Sequence, residues 1–396
     1  MGYRILSMDG GGSWALIEIR ALMQVYGEDA VGHDVLKHFD MVAANSGGAM
    51  VLGGLLENLP LKVLLGYYES EAMRRRLFSP TSKWWDRLLN GVIGIGPKYS
   101  AENKFTAIKQ LLPTVGGQSL AGAARGRGRD GADIHLLIIG FDYDANRSAF
   151  FRSAPTGGPQ WGQGAQATVT LAEAIHASTN APVNYFDGPA VLPSGGRFWD
   201  GGVTGCNNPV LAGVTEAIGR GQAPADVVAL SIGTGTVALP ARDPADAADS
   251  IFVQPPGKKG LVADLRRLAT SIMDDPPDVA TFLAYVMTGK NEAIKAPGIA
   301  SRIVRMNPQI SPVGTPGSWR PPGTMDTQQF IDMVQLDVDV LDQYRVDKII
   351  DYTKRWIAGE APNQPIRENT RTLEVELGDG QFKQAVAHWQ GLTGFY

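Results

Sequence analysis

The strongest constraint on this chain is where its glycines fall. The apolar run "YRILSM" stops at Asp9-Gly10-Gly11-Gly12, and "WALIEIRALMQVYG" follows. In that second stretch Leu16, Ile19, Leu22 and Met23 share one helical face, and Gly27 is a stop signal. The order then recurs: "FDMVAA" runs into Asn45-Ser46-Gly47-Gly48, and a helix is expected from about Gly47 to Glu57. Further buried-strand candidates are "IHLLIIGFD", "AFFRS" and "DVVALSIG". Strands alternating with helices predict an α/β fold, a mostly parallel central sheet with helices on both faces.

Proline and glycine mark the organisation. Residues 121–131, "AGAARGRGRDG", read as a flexible basic loop, and Pro240 to Gly260 reads as a linker with four prolines. A second Pro/Gly-rich excursion runs from Asn307 to Gly323, and "VDVLDQYRVDKIIDYTKRWI" is an amphipathic helix. The expected layout is an α/β core over 1–240 and a mainly helical part over 241–396 packed on it as one continuous domain.

Three glycine-bearing motifs could carry chemistry. In "MDGGGSW" successive glycines let backbone approach a ligand, and N–H groups opening a helix favour negative charge, either a phosphate or the oxyanion of acyl transfer. "ANSGG" is close to the nucleophile elbow G-x-S-x-G, with Ala44 and Gly48 as the small residues flanking Ser46. Serine is equally at home as an ordinary N-cap, so the stretch alone leaves both readings open. In "WDGGVTGCNNP", Asp200 follows a strand-like "GRFW" and precedes Gly201 and Gly202, which would let a turn bring its carboxylate to Ser46. An ordinary aspartate is a weak base, and partial burial would suit it better by raising its pKa. The histidines His33, His38, His135, His176 and His388 lie in no comparably distinctive motif.

In type, order and spacing, Asp9-Gly10-Gly11-Gly12, Ser46 in its elbow and Asp200-Gly201-Gly202 resemble the patatin-like phospholipases. Lesser matches are "PKYSAENKF" at 97–105, "AIHASTNAPVNYF" at 174–186, "NNP" at 207–209 and "LSIGTG" at 230–235. The resemblance spans about residues 3–240 and the helix near 338–357. It implies a three-layer patatin-like core and a Ser-Asp dyad without histidine. On that carry-over Ser46 is the nucleophile and Asp200 the base. Gly10, Gly11 and Gly12 supply oxyanion-hole amides, and Ala44, Asn45, Gly47 and Gly48 support the elbow. The implied reaction is hydrolysis of lipid acyl esters, with a glycerophospholipid as substrate and neither metal nor organic cofactor. Two departures stand out: Trp14 and Ala15 replace the family's basic residue and glycine, and Ala44 replaces the first elbow glycine.

Other classes fit less of the chain. "GGGSWA" passes as a dinucleotide fingerprint with Glu28 or Asp29 as ribose contact, but any glycine triplet meets half of that pattern. "MDGGGS" and "SIGTG" look like the phosphate turns of an actin-like sugar kinase or ATPase, which would need a strand where residues 14–25 have helical spacing. An α/β-hydrolase with Ser46, Asp200 and His388 would place several strands before its elbow strand, and only one precedes the strand that leads into Ser46. A catalytically silent patatin fold that binds lipid or a partner is the remaining alternative.

The net charge of −4 argues against nucleic acid, and a single cysteine, Cys206, suits a reducing compartment. Neither a signal peptide nor a spanning segment is expected, so a cytoplasmic location is. Peripheral membrane contact is expected through residues 82–96, which combine Trp84, Trp85 and five aliphatic residues near "MRRR" at 73–76.

Overall fold

The computed structural model describes residues 2–77, 99–154, 169–182, 185–247, 250–255, 276–289, 301–336 and 341–395. Its first strands are β1 (Tyr3–Met8), β2 (Met41–Asn45), β3 (His135–Asp142), β4 (Arg147–Arg152), β5 (Ala190–Val191), β6 (Arg197–Asp200) and β7 (Val227–Ile232). Two more matter here: the short β8 (Thr236–Val237) and β9 (Ile303–Met306). The central sheet has eight strands, ordered β5-β6-β3-β2-β1-β7-β9, with β4 also on β3. The run from β3 through β2, β1 and β7 to β9 is parallel, while β4 and β6 lie antiparallel to β3.

Parallel strands covered on both faces need apolar residues at successive positions, and these have them. Leu6, Met8, Val42, Ala44, Leu136, Ile138, Leu230 and Ile232 belong to one core layer. Ile5, Met41, Ala43, Leu137, Ile139, Val227, Ala229 and Ile303 belong to the other. Helices α1 (Leu16–Tyr26), α3 (Ser46–Leu56), Leu171–Ser178 and Gln343–Ala358 bury their apolar residues in the first layer. Helices Val210–Gly219 and Pro276–Thr288 do so in the second. The fold is thus three-layered α/β, as expected. Between α1 and α3 lies α2 (Gly32–Leu36), and α3 is followed by α4 (Leu61–Glu69) and α5 (Glu71–Leu77).

The register of β3 explains how two distant motifs meet. β2 pairs along β3 as far as Asn45 opposite Ile139. β4 occupies the far edge of β3 along Leu137–Asp142, so β6 takes the edge that β2 vacates, with Asp200 opposite Gly140. Asn45 and Asp200 therefore face consecutive residues of one strand, which sets the elbow beside the Asp-Gly-Gly turn.

One expectation is refined and one corrected. Beside its helices, the part after residue 240 carries a strand: β9 extends the central sheet on β7, with Ala229 opposite Ile303 and Ile232 opposite Met306. Arg305 interrupts the apolar run of that strand, which hides it from a hydropathy reading. The basic stretch 121–131 is also structured, overlapping the helix Leu120–Ala124 and containing a 3-10 turn, Arg129–Gly131. The amide of Arg129 donates to the Phe39 carbonyl at 2.9 Å, and its guanidinium lies 3.1 Å from Asp40. Residues 82–96, where membrane contact is expected, lie outside the described residues.

Candidate active site

Ser46 is the first residue of α3 and has φ of +46°, a left-handed conformation that non-glycine residues rarely adopt. Asn45 before it is still extended, so the chain turns from strand to helix within one residue. Such a turn leaves no room around it. A Cβ on Gly48 would lie 2.5 Å from the Met8 carbonyl oxygen, and one on Gly47 would lie 3.0 Å from the Gly12 nitrogen. The amide of Gly48 donates to the Asp9 carbonyl at 2.9 Å, tying the elbow to the glycine loop. The Ser46 amide donates to Ser178 Oγ at 2.9 Å.

Asp200, the residue expected as base, borders the same cavity as Ser46, and the Ser46 side chain is among the groups that pull its pKa down. Asp200 Oδ1 accepts from the Gly202 amide at 2.7 Å and from Asn45 Nδ2 at 3.4 Å. Burial raises the Asp200 pKa above the usual carboxylate value, and the Ser46 side chain, the hydrogen bonds from Gly202 and Asn45 and the charge of Lys104 pull against it. Gly201 is required where the turn meets Asn45, since a Cβ there would lie 2.3 Å from Asn45 Oδ1.

Gly10, Gly11 and Gly12 border the same cavity as Ser46 and Asp200, but not equivalently. The Gly10 N–H donates to the Asn207 carbonyl at 2.9 Å, and the Gly10 carbonyl accepts from Thr234 Oγ1 at 2.7 Å. The Gly10 amide is therefore committed, whereas those of Gly11 and Gly12 have no acceptor among the described residues. Asp9, at the head of the loop, pairs bidentately with Arg305 of β9, at 3.1 and 2.6 Å. Arg305 also donates to Ser231 at 2.8 Å.

The cavity has a volume of about 990 Å³, at the upper end of the roughly 300–1,000 Å³ of small-molecule sites. Met50, Leu64, Tyr68, Leu112, Phe186 and Met333 are among its apolar walls. Trp14, at the departure from the family pattern, is buried in the wall, its ring against Gly235. No histidine lines the described cavity. His388, the α/β-hydrolase candidate, has both ring nitrogens engaged, at 2.8 Å to Asp379 and 2.9 Å to the Ser301 carbonyl. Asp29 is in an exposed ion pair with Lys62 at 2.8 Å, and the segment after the glycine turn is a helix, not the strand a kinase needs. Among the described residues no cluster of His, Cys, Asp and Glu could hold a metal, and no helix is long and apolar enough to cross a membrane.

Three contributors carried no role in the sequence reading: Ser178, Lys104 and Arg305. The first two lie inside stretches quoted as family matches, "AIHASTNAPVNYF" and "PKYSAENKF", where neither periodicity nor charge singles them out. Arg305 gives no signal beyond interrupting a strand.

The family model for patatin-like phospholipases matches residues 6–214, more than half of the chain, and the chain belongs to that family. A cGAMP-activated phospholipase of Pseudomonas aeruginosa (strain BWHPSA011 / Pa011) is 27% identical over 245 residues, 61% of this chain and 65% of that protein. The chain thus matches a little under two thirds of that relative's length. A crystal structure of VipD from Legionella pneumophila aligns over 89% of this chain and 67% of its own, at 10% identity and a TM-score of 0.34.

Proposed function

We propose that this protein is a serine acyl hydrolase of lipid esters, of phospholipase A type, working through Ser46 and Asp200. The observation that carries the reading is that the Ser46 elbow and the Asp200 turn, set side by side by β3, border one largely apolar cavity. Ser46 Oγ attacks the ester carbonyl carbon while its proton passes to Asp200. The carbonyl oxygen takes up the negative charge beside the Gly11 and Gly12 amides, which cost no reorganisation as the charge develops. Collapse breaks the bond to the leaving alcohol, which takes the proton from Asp200 and leaves an acyl-serine. Water then gives its proton to Asp200, attacks the acyl carbon and releases the fatty acid as Ser46 recovers the proton.

The cavity's size and apolar walls support a long acyl chain on a glycerophospholipid as substrate, taken from a membrane surface by a protein that stays in the cytoplasm. The test is mass-spectrometric detection of free fatty acid and lysolipid from phosphatidylcholine and phosphatidylethanolamine vesicles. Wild type should release both. Ser46→Ala and Asp200→Asn should lose about 10³-fold or more, because dyad members act as a unit. Full hydrolysis by Ser46→Ala would sink the mechanism, and an inert wild type would favour a silent lipid binder. Running the assay with and without cGAMP tests whether the activation named for the Pseudomonas relative extends to this chain.

A further inference from the structure

Lys104, on the helix Ala101–Leu111, is 3% exposed and borders the cavity that holds Ser46 and Asp200. Its Nζ lies 3.0 Å from the His176 carbonyl, 3.1 Å from Thr179 Oγ1 and 2.9 Å from Asn180 Oδ1. None of the three can donate in return. The first is a carbonyl, and the Thr179 hydroxyl spends its proton on the Ile175 carbonyl at 2.8 Å. The Asn180 amide is fixed with Nδ2 on the Gly188 carbonyl at 2.7 Å, which turns its oxygen toward the lysine. Lys104 must supply all three protons, and only an ammonium has three N–H donors. The Phe186 ring closes over the same nitrogen, 4.3 Å from its centroid.

Burial pushes the Lys104 pKa well below the usual lysine value, and the charge of Asp200 pulls against it. No carboxylate lies within ion-pair distance among the described residues, and it is the three acceptors around Nζ that call for the protonated form. A second link is mechanical: Asn180, held through Oδ1 by Lys104, accepts the Asp200 N–H on its own carbonyl at 2.9 Å. We propose that Lys104 is a positioning residue for the base, a buried cation that keeps Asp200 ionised and in register to take the Ser46 proton. The inference rests on the dyad reading above.

The surroundings fit such a role. Asp200 is faced by Ser46 and Asn45 from the elbow, by the Gly202 amide from its own turn and by Lys104, the one charged group among its main influences. Lys104 is faced by Asp200 and by His176, whose ring is held neutral by burial and then by the charges of Lys104 and Lys109, its pKa pushed down to about 2. A neutral residue at 104 would leave the carboxylate without a counter-charge in a desolvated site. Asp200 would then hold its proton to higher pH and fail as a base over that range.

The test is the pH dependence of Ser46 labelling by a fluorophosphonate, with kcat/KM on p-nitrophenyl butyrate measured alongside, for wild type, Lys104→Met, Lys104→Gln and Lys104→Arg. In the neutral variants the acid limb should move up by about one pH unit or more, as expected when an opposite charge is removed. Below the limb both rates should fall about tenfold, with recovery toward wild type at alkaline pH. Lys104→Arg should hold the limb in place. A uniform loss at every pH, or an unmoved limb, overturns the proposal while labelled Ser46 leaves the dyad standing. Labelling that persists in Ser46→Ala would instead overturn the dyad. If the neutral variants do not fold, ¹⁵N-lysine spectra of wild type decide. A protected ammonium signal at pH 7 that is missing from Lys104→Arg supports the proposal, and an amine signal overturns it.

Discussion

Ser46 occupies a backbone conformation that non-glycine residues rarely adopt, and on the dyad proposed above it keeps a side chain there because the hydroxyl is the nucleophile. Strain of this kind costs about 1–3 kcal/mol and is held by the surrounding structure. Comparing Ser46→Gly with Ser46→Ala isolates it, since both remove the hydroxyl and only glycine relaxes at positive φ. Both should be inactive, and the glycine variant should be the more stable in urea by about 1 kcal/mol. Gly48→Ala should do the opposite, lowering stability by about 1–3 kcal/mol through the Met8 carbonyl clash and displacing the elbow. The residues whose role is conformational, Ser46 with its glycines and Asp200 with its own, were legible because a tight turn restricts residue type. Lys104 and Ser178 were not, because their partners are chosen by folding rather than by neighbours in sequence.

At the scale of elements, strands were legible wherever burial on both faces makes them apolar throughout. β9 carries Arg305 in its centre and β6 is short and mixed, so both needed the sheet to be recognised. The helix Val210–Gly219 offers a comparable case of buried polarity. Its Glu216 accepts from Arg152 of β4 at 3.1 Å and from Arg220 at 2.8 Å, and lies 3.3 Å from His135 at the start of β3. Burial pushes this carboxyl up, but the neighbouring His135 ring, the Arg220 hydrogen bond and the Arg152 charge outweigh it and hold the pKa down at about 2. Its stabilisation is therefore complete above the ordinary value of 4.5 and is lost as pH falls through about 2. Urea midpoints should show wild type losing stability between those limits more steeply than Glu216→Gln. At pH 7 that variant should be weaker by about 3 kcal/mol, because Arg152 is left buried beside a neutral amide.

At the scale of the whole molecule, the α/β class and layer order follow from the alternation of strand and helix signals. The contribution of the last third does not, because it rests on pairings across most of the chain. Residue 240 looks like a boundary in composition, yet β9 lies beyond it and pairs with β7 in the central sheet. We propose one continuous folding unit. A chain ending at residue 240 should show no cooperative thermal transition by circular dichroism, and adding residues 241–396 in trans should restore one only if the halves associate.

The Asp9–Arg305 pair, 296 residues apart in sequence, also bears on how the protein is made. Ser46 and Asp200, the proposed nucleophile and base, have both been translated once residue 200 is reached, but the partner of Asp9 comes 105 residues later, 305 minus 200. At the roughly 5–20 residues per second of synthesis, that is about 5 to 20 s during which the glycine loop lacks the guanidinium that pairs with the aspartate at its head. On the proposed dyad reading, Ser46 and Asp200 thus both emerge before the pair that anchors the glycine loop beside them can form.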